Sequence, residues 1–203
     1  DGELYCDQRY GDWPLRVDSR PWEQPEWMLL SYRKPVSVSS GKGAEFITDE
    51  DIRTWWKAAD NQPGSQVCLD LEKVQDVHAV QINFAEDGIE VQLPEGESAH
   101  QDMSEIRFID TRIQPLRWIL EGSQDGVHFS MLADKSQADT DLSHDFLVWE
   151  TGKQVRYLRL TILELPYAQL PCISGLRVFG KGQGQRPKAA DEVTVQEMGE
   201  LNI

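Results

Sequence analysis

The sequence predicts an all-β protein, an antiparallel β-sandwich, and three observations carry that reading. Apolar residues alternate with polar ones in several short runs, the period of a strand with one face buried. Turn chemistry separates the runs, most clearly at Ser123-Gln124-Asp125-Gly126, where Asp-Gly signals a tight hairpin. Helical periodicity is nearly absent; only Glu50 to Ala59 has the composition for a turn or two of helix.

Taken in order, the first strand-like run is Trp27 to Tyr32, inside a stretch otherwise given over to turns at Gly11-Asp12, Arg20-Pro21 and Gln24-Pro25. Val67, Leu69 and Leu71 alternate with Cys68 and Asp70 and predict a second strand. Val80, Ile82 and Phe84 alternate with Gln81 and Asn83 and predict a third; His78 shares their face and reads as a core-edge histidine. Trp118 and Leu120 lead into the Asp-Gly turn, with Val127 to Leu132 as the returning strand. Leu158, Leu160 and Ile162 predict the next strand, and Leu176 and Val178 the last. Several short strands punctuated by turns favour a sandwich or barrel. Two connections are long, Glu86 to about Glu105 and Lys135 to about Asp145, and loops of that size usually carry function. Three segments result: 1–34, crowded with aromatic residues; 35–182, the sandwich; and 183–203, a Gly/Gln/Pro linker followed by an alternating run at Val193 and Val195.

Composition restricts the partners. A net charge of −15 opposes polyphosphates and anionic membrane surfaces, so neither nucleic acid nor membrane is expected as a partner. No apolar run approaches the length of a membrane span, and no basic-then-apolar leader opens the chain, which reads as a fragment of something longer. Seven tryptophans offer ring faces suited to stacking on sugars, although roughly two-thirds are expected in the core. The three cysteines, Cys6, Cys68 and Cys172, cannot all pair. A Cys68–Cys172 bridge is open, but free thiols are the reading taken.

Five segments in fixed order resemble the signatures of the discoidin, or coagulation factor type C, domain. They are Asp49-Glu50-Asp51-Ile52-Arg53-Thr54-Trp55-Trp56, Val67-Cys68-Leu69-Asp70-Leu71, Ser123-Gln124-Asp125-Gly126, Arg156-Tyr157-Leu158-Arg159-Leu160 and Ile173-Ser174-Gly175-Leu176-Arg177-Val178-Phe179-Gly180. The stretch is also similar to family 32 carbohydrate-binding modules. The resemblance implies a galactose-binding-like jelly roll that binds polysaccharide or oligosaccharide without cleaving it. In the first segment, Asp1 to Asp12 and Trp27 to Pro35 look like the end of a five-bladed propeller glycosidase of glycoside hydrolase family 43. That likeness implies a parent glycosidase domain in the same chain, with its catalytic carboxylates upstream, and a bacterial protein that is secreted, periplasmic or on the cell surface. The third segment would then open a fibronectin-like domain.

The resemblance also orders the candidate residues. It makes Trp56 the core tryptophan of the Thr54-x-Trp56 pattern. Adjacent side chains on extended backbone point to opposite sides, so Trp55 faces outward. Trp55 would stack on a sugar ring, with Arg53 and Asp51 bonding its hydroxyls; the alternative packs Trp55 under a long loop or against the first segment. Asp49 and Thr54 match the structural calcium loop of the family, which draws six to eight oxygens from carboxylates and carbonyls. The family's acidic ligand before the closing strand is here Gly175, and the alternative is a solvated acidic turn. His100 beside Asp102 and His144 beside Asp145 suit acid–base or metal chemistry by type, but no nucleophile motif accompanies them, and they are read as loop histidines. Arg156, Arg159 and Arg177 are read as structural partners of nearby carboxylates. No catalysis is expected. A structural domain that braces the propeller without binding sugar is the competing function.

Overall fold

The computed structural model describes residues 27–89 and 112–181, together with the backbone of 100–102 and 105–107. The segments 1–26 and 182–203, with the first part of the expected propeller end and the run at Val193, lie outside the described residues, whereas Met28–Leu29 of that expected segment pair with Gly180 and Phe179 of the sandwich.

The described chain is all β apart from two 3₁₀ turns, Ala44–Thr48 and Pro166–Ala168. The strands are β1 (Met28–Leu29), β2 (Val36–Val38), β3 (Trp56–Lys57), β4 (Ser65–Phe84), β5 (His100–Asp102), β6 (Glu105–Arg107), β7 (Arg117–Ser123), β8 (Ser130–Asp134), β9 (His144–Glu164) and β10 (Cys172–Lys181). All pairings are antiparallel, in the order β1-β10-β4-β9-β7-β8, with β2 added to β4 and β3 to β10. β5 and β6 form a separate hairpin inside the first long connection.

Two strands are far longer than the rest. The segments 67–71 and 80–84, expected as separate strands, are the two halves of the 20-residue β4. Likewise Leu158 to Ile162 is the last part of the 21-residue β9, which begins at His144 and shortens the second long loop to 135–143. The exposed stretch Glu72-Lys73-Val74 hides the continuity, because the chain bends there and Glu72 takes a left-handed φ of 66°. Between the pairs Asp70↔Tyr157 and Gln75↔Val155, β4 uses more residues than β9; between Val77↔Lys153 and Ala79↔Val148, β9 uses more than β4. Such bulges bend a strand and shift which residues face in. Odd positions (Val67, Leu69, Leu71) are therefore buried in the first half of β4 and even ones (Val80, Ile82, Phe84) in the second. Both sets join one core cluster with Leu158, Leu160, Trp118 and Leu176. The continuous sheet thus folds over itself into two layers. One holds β2, the first half of β4, the second half of β9, β7 and β8. The other holds β1, β3, β10 and the remaining halves.

Three expected elements differ. The helical turn falls at Ala44–Thr48, not within 50–59. There the carboxylates of Asp49 and Asp51 accept the backbone N–H two residues on (2.9 and 3.0 Å), and this local bonding displaces helix. The returning strand starts at Ser130, because Gly122 opposes Ser130. Between them Asp125 Oδ1 accepts the N–H of Val127 and of His128 (both 2.8 Å), so a side chain replaces the tight-hairpin ladder. β1 is shorter than Trp27 to Tyr32, since beyond Leu30 the Ser31 hydroxyl takes over by accepting the Val178 N–H at 3.0 Å. Of the five described tryptophans, Trp56 and Trp118 are buried and Trp149 packs partly on the core; Trp27 and Trp55 are exposed. Cys68 and Cys172 are free thiols, and burial raises both, Cys172 to about 11.

Candidate functional site

The short strand β3 organises one end of the sandwich. Trp56 and Lys57 pair with Ile173 and Cys172 at the start of β10, and Lys57 exchanges two backbone bonds with Lys42 (3.3 Å each). Gly41 makes this approach possible: a Cβ there would lie 2.0 Å from the Lys57 carbonyl oxygen. Beyond β4, Ala85 N–H donates to Cys172 O and Phe84 N–H to Ser143 O. The segments 39–44, 53–59, 85–89 and the start of β9 therefore meet at this end.

Trp56 is wholly buried, its indole N–H donating to Ser40 O at 2.9 Å. Trp55 points the other way and is 36% exposed. Its indole N–H donates to Asp87 Oδ2 (3.1 Å), and the Lys57 ammonium binds the same oxygen at 2.9 Å. Lys57, in β3, and Trp55, just before it, thus turn to the same carboxylate oxygen. The Lys57 contact first, then the Trp55 N–H, holds the Asp87 carboxyl below the usual aspartate range. An aromatic ring, an ammonium and a carboxylate fixed side by side can stack on a sugar and bond its hydroxyls.

Arg53 and Asp51 engage each other. Arg53 Nε and Nη2 each donate to Asp51 at 2.9 Å, and this fork lowers the Asp51 carboxyl to about 2. The Arg53 side chain is 85% exposed. Asp49 accepts the Asp51 N–H on Oδ1 and the Thr54 hydroxyl on Oδ2, the latter at 2.7 Å. Glu50, with a left-handed φ of 67°, accepts from Arg177 Nε at 2.7 Å.

The site thus contains two residues that the sequence reading passed over, Lys57 and Asp87. The signal for Lys57 was its spacing from Trp55, and that for Asp87 its place beside Glu86 at the start of the first long loop. Arg156 forks Asp70 at 2.8 Å and Arg159 Nε donates to Glu121 at 2.8 Å, as structural pairing requires. His144 Nδ1 lies 3.0 Å from Asn83 Oδ1, while Asp145 faces Lys135 at 3.5 Å, so this His and Asp do not act as a pair. His78 is buried against Asp76 and the Trp149 carbonyl. The His100 and Asp102 side chains lie outside the described residues. Among the described residues no three His, Cys, Asp or Glu converge on a metal position, and no helix is long and apolar enough to cross a membrane.

The sequence matches no family model and no curated protein. Solved structures do match. The module CpGH89CBM32-6 of Clostridium perfringens superposes with a TM-score of 0.56 at 17% identity, covering 75% of this chain and 99% of its own. CpGH89CBM32-4 of the same organism, in complex with GlcNAc-α-1,4-galactose, gives 0.55 at 13%, covering 76% and 94%. A family 89 glycoside hydrolase from C. perfringens gives 0.54 at 14%, covering 80% of this chain and 16% of that enzyme. At these identities the likeness shows the fold, the galactose-binding-like β-sandwich.

Proposed function

We propose that this domain is a non-catalytic carbohydrate-binding accessory module, which keeps a glycoside hydrolase of the same polypeptide near its polysaccharide by raising effective concentration. The carrying observation is Trp55, half-exposed at the loop end of the sandwich and held by the Asp87–Lys57 pair. A solved structure of the same fold holds GlcNAc-α-1,4-galactose, and another forms part of a glycoside hydrolase, which supports the reading. We extend it to a secreted bacterial parent of the glycoside hydrolase family 43 type, on the resemblance of the first segment. Ligand contacts from Arg53 and Asp51 belong to this proposal. Because they form one fork, a sugar hydroxyl would bond the pair as a unit.

A hydrolytic role would need a carboxyl group kept protonated by a raised pKa. The described aspartates with a perturbed pKa (Asp51, Asp70, Asp87, Asp125 and Asp134) are all shifted the other way. Such groups accept hydrogen bonds and do not donate protons.

The test is affinity electrophoresis of the full chain through plant and host polysaccharides, followed by calorimetry with the retarding sugar. Trp55→Ala is expected to weaken binding about tenfold, ~1.4 kcal/mol, with the unfolding midpoint little changed. Absence of retardation on every polysaccharide would overturn the reading.

One observation favours a second reading, a bracing domain that binds no sugar. On the outer face of the second layer, Leu29, Phe179, Ala79 and Val148 stand directly opposite one another on four adjacent strands, Val148 exposed, Leu29 and Phe179 partly covered and Ala79 buried. Phe146, 54% exposed, adds an edge-on contact to Phe179 at 6.3 Å between ring centroids. The solvent face of an antiparallel sheet is ordinarily polar, and a contiguous apolar face suits contact with another domain. Under this reading Trp55→Ala alters stability alone, and no polysaccharide retards the chain.

A further inference from the structure

The resemblance implies calcium in the loop 49–54, and the side chains there do not fit it. Calcium draws its ligands from carboxylates and carbonyls that are free to converge on one point. Here the three carboxylates are already turned to protein donors. Asp49 receives the Asp51 N–H and the Thr54 hydroxyl. Asp51 receives the Arg53 fork, and Glu50 receives Arg177 Nε at 2.7 Å. The Asp51 carbonyl accepts the Thr54 N–H (3.2 Å) and lies 2.9 Å from the hydroxyl oxygen whose hydrogen Asp49 shares. On β10 the position that would bring a further carboxylate is Gly175. A Cβ built there lies 3.1 Å from Asn83 Nδ2, so the neighbouring strand's amide borders that space. Two residues along, on the same face of the strand, stands Arg177.

We propose that Arg177 takes the place of a metal cation: its guanidinium clamps loop 49–54 to β10 through Glu50, and the domain is independent of calcium. The ion pair is half-buried on both sides, with side-chain exposures of 22% and 28%, so water screens it less than a surface pair. Its partner is a non-glycine residue in the left-handed region, a conformation that persists where surrounding contacts impose it. A calcium ion would instead meet two guanidinium groups, those of Arg53 and Arg177, bound to the carboxylates it needs.

The experiment is thermal unfolding of the full chain in millimolar calcium chloride and in chelator, with calorimetric titration of calcium alone. The same midpoint in both buffers and no binding heat are expected. A ligand that binds only the folded state raises the midpoint by mass action, so a calcium-dependent rise or stoichiometric calcium uptake overturns the proposal. Arg177→Met is expected to lower the midpoint equally in both buffers. It should also speed amide exchange over 49–54 at least fivefold, with the protection of β4 and β9 retained. Glu50→Gln removes the charge of the same pair from the loop side and should also speed exchange over 49–54, which keeps the question answerable if Arg177→Met folds poorly. Unchanged exchange over 49–54 in Glu50→Gln would also overturn it. None of these readouts uses a sugar, so they stand apart from the binding reading; where binding holds, it should be unaffected by chelator.

Discussion

Trp55 owes its position to two neighbours of different kinds. Asp87 fixes the indole edge by a hydrogen bond, and Lys57 fixes Asp87 by charge. The arrangement carries a pH signature whose sign follows from the depressed carboxyl. A group whose pKa is lowered by folding stabilises the native state above its unfolded value, near ~3.9 for aspartate, and loses that contribution as pH falls through the lowered folded value. The fluorescence difference between wild type and Trp55→Phe should therefore stay flat from neutral pH down to about pH 4 and change only below. Asp87→Asn, which carries no titratable carboxyl, should abolish that acid transition. A midpoint above the ordinary aspartate range would mean that Asp87 does not hold the ring. The orientation of Trp55 was legible in the sequence, because a tandem pair on extended backbone must split between core and rim. Asp87 was not, since a loop contact separated by 32 positions has no periodicity to betray it.

The long strands show where strand-scale reading stops. Alternation identified both halves of β4 and the end of β9, and it placed their inward residues correctly. It could not join the halves, because a bulge shifts the alternation by one and looks in sequence like a break. Glycines mark these corners instead. Gly180, opposite Val77 near the β4 bend, would carry a Cβ 2.0 Å from the Asp76 carbonyl oxygen. Backbone cannot yield as a side chain does, so Gly180→Ala should destabilise the domain by about 1–3 kcal/mol or more. At Gly175 an added Cβ meets only the Asn83 amide at 3.1 Å, a side chain that can turn aside. Gly175→Ala should consequently cost clearly less than Gly180→Ala. Chemical denaturation of the two variants side by side measures the difference, and equal costs would mean that the β10–β4 approach is looser than its geometry indicates.

At the scale of the molecule, the two layers share their two longest strands. Leu69, in the first half of β4, lies in the layer with β7 and Trp118, whereas Ile82, in the second half, pairs with Leu176 of β10. Both residues are fully buried in one cluster. A sandwich assembled from separate sheets could loosen one layer before the other. Here neither layer can lose its central pair of strands without the other losing the same chain. Leu69→Ala and Ile82→Ala should each cost about 2–5 kcal/mol. Both should leave unfolding a single transition, with near-ultraviolet signals from the tryptophans coincident with the far-ultraviolet signal of the sheet. Two separated transitions in either variant would show that the bulges at 70–75 and 77–79 act as hinges between independent layers. A single transition has a consequence for the loop end. The segment 53–59 is joined to β10 through β3, so a core substitution far from Trp55 should alter ligand affinity only by changing the folded fraction. Affinity corrected for that fraction should match wild type in both variants.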